Sequence, residues 1–274
     1  MKLGLNGSTT DQCTLEEDIA VADQAGFDVL ELRTYKISTY LEKHSLKELN
    51  NLFSRTNIEP YAINAIEFFN LKTRKGKENI LKETEYWCYV ANAINCPYVI
   101  AVPSQNQNGA GEEEIFADTV QMLEEMADIA NRFHVNLAFE FIGFKEFSVR
   151  TLSVANQIVQ EVNRENIGLV IDTYHFYNGG SSLKSIEKVD KNKLFIFHIN
   201  DAEDVSKEER TEAHRIFPGL GVIPLTDICK ALKEIGYDHM VSLELFRPDY
   251  WEMGKQHLAN DSYRYVKHAI EKVF

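Results

Sequence analysis

Four residues with metal-binding side chains recur at matching places in the second half of this 274-residue chain. Glu140 stands between Phe139 and Phe141. Asp172 follows Leu169-Val170-Ile171, His198 follows Phe195-Ile196-Phe197, and Glu244 stands between Leu243 and Leu245. A carboxylate among such neighbours is costly to bury unless it is paired or bound to a cation. One divalent cation answers all four. Three oxygen donors and one imidazole, with no thiolate, form a fairly hard site. It suits Mn²⁺, Zn²⁺, Co²⁺ or Mg²⁺ and excludes Fe–S and soft copper chemistry. Four protein ligands leave open positions where a substrate can chelate through a ketone and its neighbouring hydroxyl. A metal there acts as a Lewis acid and stabilises an enediolate. Taken singly, each residue has a plainer reading: Glu140 in a salt bridge, Asp172 capping a turn, His198 as a hydrogen-bonded core histidine. Recurrence on successive elements is what points to a metal.

Those elements follow from the hydropathy pattern. Short apolar runs alternate with longer amphipathic ones along the whole chain. Strands are expected over Lys2–Asn6, 27–33, 58–66, 97–102, 135–142, 167–173, 193–199 and 240–246. Helices are expected over Leu15–Ala25, 38–56, 75–94, 113–133, Leu152–Val162, 183–189, 225–235 and 250–273. Strict alternation makes a parallel sheet, because each strand needs a crossover helix to reach the next. Eight such units predict an α/β fold, a (β/α)₈ TIM barrel forming a single domain over 1–274. A doubly wound open sheet is the alternative. Its dinucleotide fingerprint is missing, since Asn6-Gly7-Ser8-Thr9 follows the first strand where G-x-G-x-x-G would stand. In a barrel, all four candidate ligands sit near the C-terminal ends of strands five to eight, the face that carries function. Two loops share that face: 104–111 (SQNQNGAG) and the acidic stretch 201–212, a solvated loop or a cover over the site.

Composition excludes other classes. With 29 Lys+Arg against 42 Asp+Glu, the net charge is −13, which argues against nucleic-acid partners. Hydrophobic residues at 44% and charged residues at 26% are ordinary for a globular domain. Cys13, Cys88, Cys96 and Cys229 show no metal or redox spacing and read as free thiols in a reducing cytoplasm. Cys88 and Cys96 would lie about 12 Å apart along a helix, too far to bridge. No apolar run reaches ~18 residues, so no membrane span is expected. The opening apolar run is too short for a signal-peptide core. The negative field favours a small neutral keto-polyol or sugar over a sugar phosphate, with Arg33 and Arg215 the residues most able to overturn that preference. A homo-oligomer is left open.

The motifs F-E-F at Glu140, D-T-Y-H-F at 172–176, H-I-N-D at 198–201, P-G-L-G at 218–221 and L-E-L-F at 243–246 resemble those of the xylose-isomerase-like TIM barrels. That superfamily holds sugar isomerases, epimerases and endonuclease IV. The resemblance covers essentially the whole chain. Within it, L-E-L-F-R-P-D-Y at 243–250, A-V-P at 101–103 and A-I-N-A-I-E-F-F-N at 62–70 are most similar to the inosose isomerases of inositol catabolism. The resemblance implies a metal held by Glu140, Asp172, His198 and Glu244. It implies proton transfer by Glu140 and Glu244, and substrate binding by His175 and Arg215. The implied reaction converts 2-keto-myo-inositol to 1-keto-D-chiro-inositol. Ketose 3-epimerase, hydroxypyruvate-type isomerase and inosose dehydratase are alternatives on the same scaffold, and a non-catalytic sugar-binding barrel is another. His175 could instead make a local structural bond, and Arg215 could pair with the acidic loop. Thr173 and Asn200 stand where the superfamily usually has D-S-F-H and H-I-D-D, which bears on the hydrogen bonds around the ligands. The endonuclease reading needs further histidines. The ends of strands two to four, Glu31-Leu32-Arg33, Asn64-Ala65-Ile66 and Val102-Pro103-Ser104, supply none.

Overall fold

A computed structural model describes residues 1–274. Eight strands pair in parallel, and the last closes on the first. They are β1 (Lys2–Asn6), β2 (Val29–Arg33), β3 (Glu59–Glu67), β4 (Tyr98–Val102), β5 (Asn136–Glu140), β6 (Ile167–Asp172), β7 (Leu194–Ile199) and β8 (Met240–Leu243). Closure pairs Lys2 with Met240 and Gly4 with Ser242, so the expected (β/α)₈ barrel is the fold.

Strand periodicity sorts the side chains. Alternate residues of a strand face opposite sides of the sheet. Leu137, Phe139, Leu169, Ile171, Phe197, Val241 and Leu243 join the large core between barrel and helices. The opposite parity fills the barrel itself: Val29, Ala62, Ile100, Ala138, Val170, Ile196 and Met240 pack against one another. Continuing that inner parity toward the C-terminal ends gives Asn6, Glu31, Asn64, Glu140, Asp172, His198 and Glu244, all buried. An apolar floor thus supports a polar layer at the C-terminal end of the barrel.

Several helices differ from the sequence expectation, each for a local reason. The stretch 38–56 forms two helices, Thr34–Leu41 and Leu46–Phe53. Ser45 starts the second one: its hydroxyl accepts the Glu48 N–H, while the Glu48 carboxylate accepts the Ser45 N–H. The stretch 250–273 likewise divides into Pro248–Trp251 and Lys255–Glu271, with Gly254 as the new N-cap. A helix not expected, Thr173–Gly179, follows β6 directly because Asp172 caps it. Glu244 lies one residue beyond β8 rather than within it.

The acidic stretch after β7 is not simply a solvated loop. Asp201–Ala202 pairs antiparallel with Arg215–Ile216. Asp201 is buried and accepts backbone N–H bonds from Gly219, Gly221 and Ile223, all at 2.9 Å. A Cβ on Gly221 would meet the Ala202 carbonyl oxygen at 2.1 Å, so this close approach requires glycine. The P-G-L-G motif is therefore a strap tied down by Asp201. All four cysteines are free and buried, and Cys88 and Cys96 are unbridged. No helix is long and apolar enough to cross a membrane.

Gly168, on the inner parity of β6, has no room for a side chain. An added Cβ would lie 2.5 Å from the Phe195 ring and 2.6 Å from the Lys193 carbonyl oxygen. Gly168→Ala is expected to destabilise the barrel by about 1–3 kcal/mol, read as a lower urea midpoint at unchanged slope.

Candidate metal centre

The four residues singled out by their spacing meet in space. Each of Glu140, Asp172, His198 and Glu244 offers one ligand atom, and these atoms lie within 4.8 Å of one another. The His198 Nδ1 sits 3.1 Å from Glu140 Oε1, 3.3 Å from Glu244 Oε2 and 3.9 Å from Asp172 Oδ2. Neighbouring strands bring these groups to one height: Asp172 and His198 are register partners across β6 and β7.

Outer contacts decide which atom of each residue faces the centre. His198 Nε2 lies 3.0 Å from Glu31 Oε2 on the opposite wall. An ionised carboxylate only accepts, so Nε2 carries the hydrogen and Nδ1 is left for a metal. Glu244 Oε1 accepts from Asn6 Nδ2 at 3.0 Å and Asn64 Nδ2 at 3.1 Å, leaving Oε2 for the centre. Thr9 fixes the backbone on both sides of Glu244: its hydroxyl donates to the Leu243 carbonyl and accepts the Leu245 N–H, each at 3.0 Å. The Thr9 loop is itself held by the buried Lys36 ammonium, which donates to the Gly7 and Thr10 carbonyls and to Asp18. Trp251 ties the same loop by donating to the Ser8 carbonyl, and Tyr250 stacks on Phe217. Phe69 packs in the core against Phe139, whereas Phe68 is partly exposed.

Asp172 has one committed oxygen and one shared one. Oδ1 accepts the His175 N–H at 2.8 Å, and Oδ2 accepts from Arg215 Nη1 and Asn200 Nδ2, both at 2.7 Å. The two departures from the superfamily pattern meet here. Thr173 Oγ1 donates to Asn200 at 2.7 Å, while the Asn200 amide donates to Asp172. An aspartate at 200 would face Asp172 with a second negative charge; the asparagine supplies a donor instead.

His175 and Arg215 stand together beside the cluster. Arg215 is fully buried and commits all three nitrogens: Nε to Glu212, Nη1 to Asp172 and Nη2 to His175 Nε2 at 3.0 Å. Arg215 therefore pairs with the acidic segment, through Glu212, and also with a candidate ligand. Because arginine only donates, His175 Nε2 accepts and Nδ1 carries the hydrogen. That Nδ1 is buried without a partner.

Electrostatics push the two glutamates apart. Burial drives the Glu140 carboxyl above its usual range, and the charge of Glu244 adds to the effect. Burial also works against ionised Glu244, but His198, Arg215 and Arg33 outweigh it and hold that carboxyl far below the usual range. Asp172 is likewise held low, with Arg215 the largest influence opposing burial. Desolvation disfavours the His198 imidazolium, yet Glu31, Glu244 and Glu140 together raise it well above the ordinary value.

Hard donors, an oriented imidazole and unbalanced negative charge fit a divalent cation held by Glu140, Asp172, His198 and Glu244. The model of the xylose isomerase-like TIM barrel family matches residues 19–268. The chain belongs to the xylose isomerase-like TIM barrel family. Among relatives in that family, it is 37% identical to an inosose isomerase of Bacillus velezensis over 100% of this chain and 99% of the other. It is 39% identical to one of Halalkalibacterium halodurans, covering 93% and 92% of the two chains. A solved structure of IolI protein with a bound zinc atom superposes with a TM-score of 0.98 at 37% identity, covering 100% and 99%.

Sequence reasoning missed Glu31, Asn6 and Asn64. Glu31 had a legible signal: it stands between Leu30 and Leu32, the same Leu-Glu-Leu pattern as Glu244. Asn6 and Asn64 lie on apolar strands, but an uncharged amide there is a weaker anomaly than a carboxylate.

The raised His198 sets a sign for pH dependence. In protein stripped of metal, its protonation stabilises the fold most below the ordinary imidazole value, and the contribution fades as pH climbs through the raised one. A cation needs the bare Nδ1, so binding must expel that proton. Affinity for Zn²⁺ or Mn²⁺ is expected to rise with pH by up to about tenfold per unit in that interval. Calorimetry in two buffers of different ionisation enthalpy should show proton release, and His198→Ala should reduce it, leaving the share of Glu140.

Proposed function

We propose that this chain is a divalent-metal-dependent inosose isomerase, moving the ketone of a cyclic polyol to the adjacent carbon and converting 2-keto-myo-inositol to 1-keto-D-chiro-inositol. The observation that carries this reading is the convergence of Glu140, Asp172, His198 and Glu244 in a chain that aligns end to end with inosose isomerases. In this reading those four residues hold the metal. When bound, a divalent cation supplies Lewis-acid polarisation of the ketone and its neighbouring oxygen.

The chain's own residues handle the protons. Glu244, kept ionised by Arg215 and Arg33, takes the proton from the carbon beside the ketone. Glu140, which burial and the charge of Glu244 make the more basic of the two, is suited to receiving that proton and returning it at the former ketone carbon. The hydroxyl hydrogen passes from the new ketone oxygen to the old one, so nothing is gained or lost. His175 donates through its free Nδ1–H to a substrate oxygen, and Arg215 holds His175 and Asp172 in place while facing the substrate.

Charge supports a neutral substrate. Glu31, Glu140, Asp172 and Glu244 are offset by Arg33, Arg215 and one divalent cation, with His198 neutral as a ligand. An added anion would unbalance that set. Four buried free thiols support a reducing, cytoplasmic setting.

Chelation should abolish inosose turnover, and add-back of Mn²⁺, Zn²⁺ or Co²⁺ should restore it. Glu244→Gln, loaded with metal, is expected to lower turnover and solvent-deuterium exchange at the carbon beside the ketone by about 10²–10⁴-fold. Wild-type exchange in that variant would remove Glu244 from the chemistry. An epimer as sole product would replace isomerisation with 3-epimerase chemistry.

A further inference from the structure

Arg33, at the end of β2, is a second arginine at the edge of the centre, and its donors are spent very differently from those of Arg215. Its side chain is 12% exposed. Nη1 donates to Asn64 Oδ1 at 2.7 Å and lies 3.9 Å from Glu244 Oε1. Nη2 lies 3.9 Å from Glu67 Oε1, beyond hydrogen-bond reach. Nε is buried and has no partner at all. A guanidinium carries five N–H donors. Here one of them has a hydrogen-bond partner, whereas Arg215 engages Glu212, Asp172 and His175.

Such a group is costly to bury unless something completes it. The surroundings keep it in place. Its guanidinium carbon lies 5.9 Å from the Tyr35 ring centroid and 5.5 Å from that of Phe246, whose ring is also 5.3 Å from Arg215. Asn64 joins it to the reacting side of the site, because the same amide donates to Glu244. The planar fork is thus fixed in orientation, close to a candidate proton-transfer group, with donors unspent.

We infer that Arg33 is a substrate-binding residue that donates to two adjacent hydroxyl oxygens of a neutral polyol and so sets which hydroxyl pattern the site accepts. The inference rests on the functional reading above. Hydroxyls rather than an anion fit, because Glu67 and Glu244 both lie within 3.9 Å of the guanidinium and oppose added negative charge. Two neighbouring ring hydroxyls match the spacing of a fork that presents parallel donors.

The test is a cycle between enzyme and substrate. Metal-loaded wild type, Arg33→Gln and Arg33→Lys are assayed with an inosose and with analogues each lacking one hydroxyl. Arg33→Gln is expected to raise KM about tenfold to a hundredfold with a smaller change in kcat, while metal uptake persists. At one hydroxyl or an adjacent pair, the penalty for deoxygenation seen with wild type should vanish in Arg33→Gln; elsewhere it should remain. Arg33→Lys keeps the charge without the fork, so it should recover less than half of the lost discrimination and serves as the second variant if Arg33→Gln does not fold. Identical penalties at every hydroxyl in all three proteins would overturn the inference, leaving Arg33 a charge-balancing group. A wild type that turns over no inosose would instead overturn the functional reading.

Discussion

Four carboxylates, Glu31, Glu140, Asp172 and Glu244, share the buried C-terminal end of one barrel around the His198 imidazole. Like charges at this spacing, away from water, repel strongly and lose their hydration. The rest of the site answers that constraint. Arg215 sits against Asp172 and Glu244, Arg33 sits near Glu244, and His198 is surrounded by the acids. One divalent cation completes the balance with the histidine neutral. The same concentration of charge that makes the site expensive makes it bind metal, and it separates the proton affinities of Glu140 and Glu244.

A balanced charge is useful only if the ligand atoms are held in place. The scaffold fixes one part of each group and leaves another part free. Glu31 takes one nitrogen of His198, two asparagine amides take one oxygen of Glu244, and the His175 N–H takes one oxygen of Asp172. Behind these, Thr9 clamps the backbone around Glu244, and the Lys36–Asp18 pair anchors the Thr9 loop. Asp201 does the same on the other side, tying the strap at 219–223 beside the Arg215 hairpin. Preorganisation of this kind lowers the cost of arranging ligands when a cation and substrate arrive.

The barrel and the four central residues were legible before any coordinates. Alternating strand and helix patterns imply a parallel sheet, and a polar residue near the end of an apolar strand is a local anomaly that demands a partner. Helix breaks were less legible, because Ser45 and Gly254 interrupt apolar periodicity that otherwise runs on. Asp201 was hidden by composition: inside an acidic stretch, the one aspartate that accepts four backbone N–H bonds looks like its exposed neighbours.

Local spacing therefore specified the fold class and the four residues at the centre. It did so because strand period, helix period and the cost of burying charge all act over a few residues. Closure of the barrel decided the rest. Glu31 and His198 are 167 positions apart and on opposite walls, and Asn64 and Glu244 are 180 apart. No short-range pattern encodes those meetings, since they arise only when β8 returns to β1 and the walls face each other. Which imidazole nitrogen points inward, which glutamate stays ionised and which arginine keeps its donors are consequences of that closure.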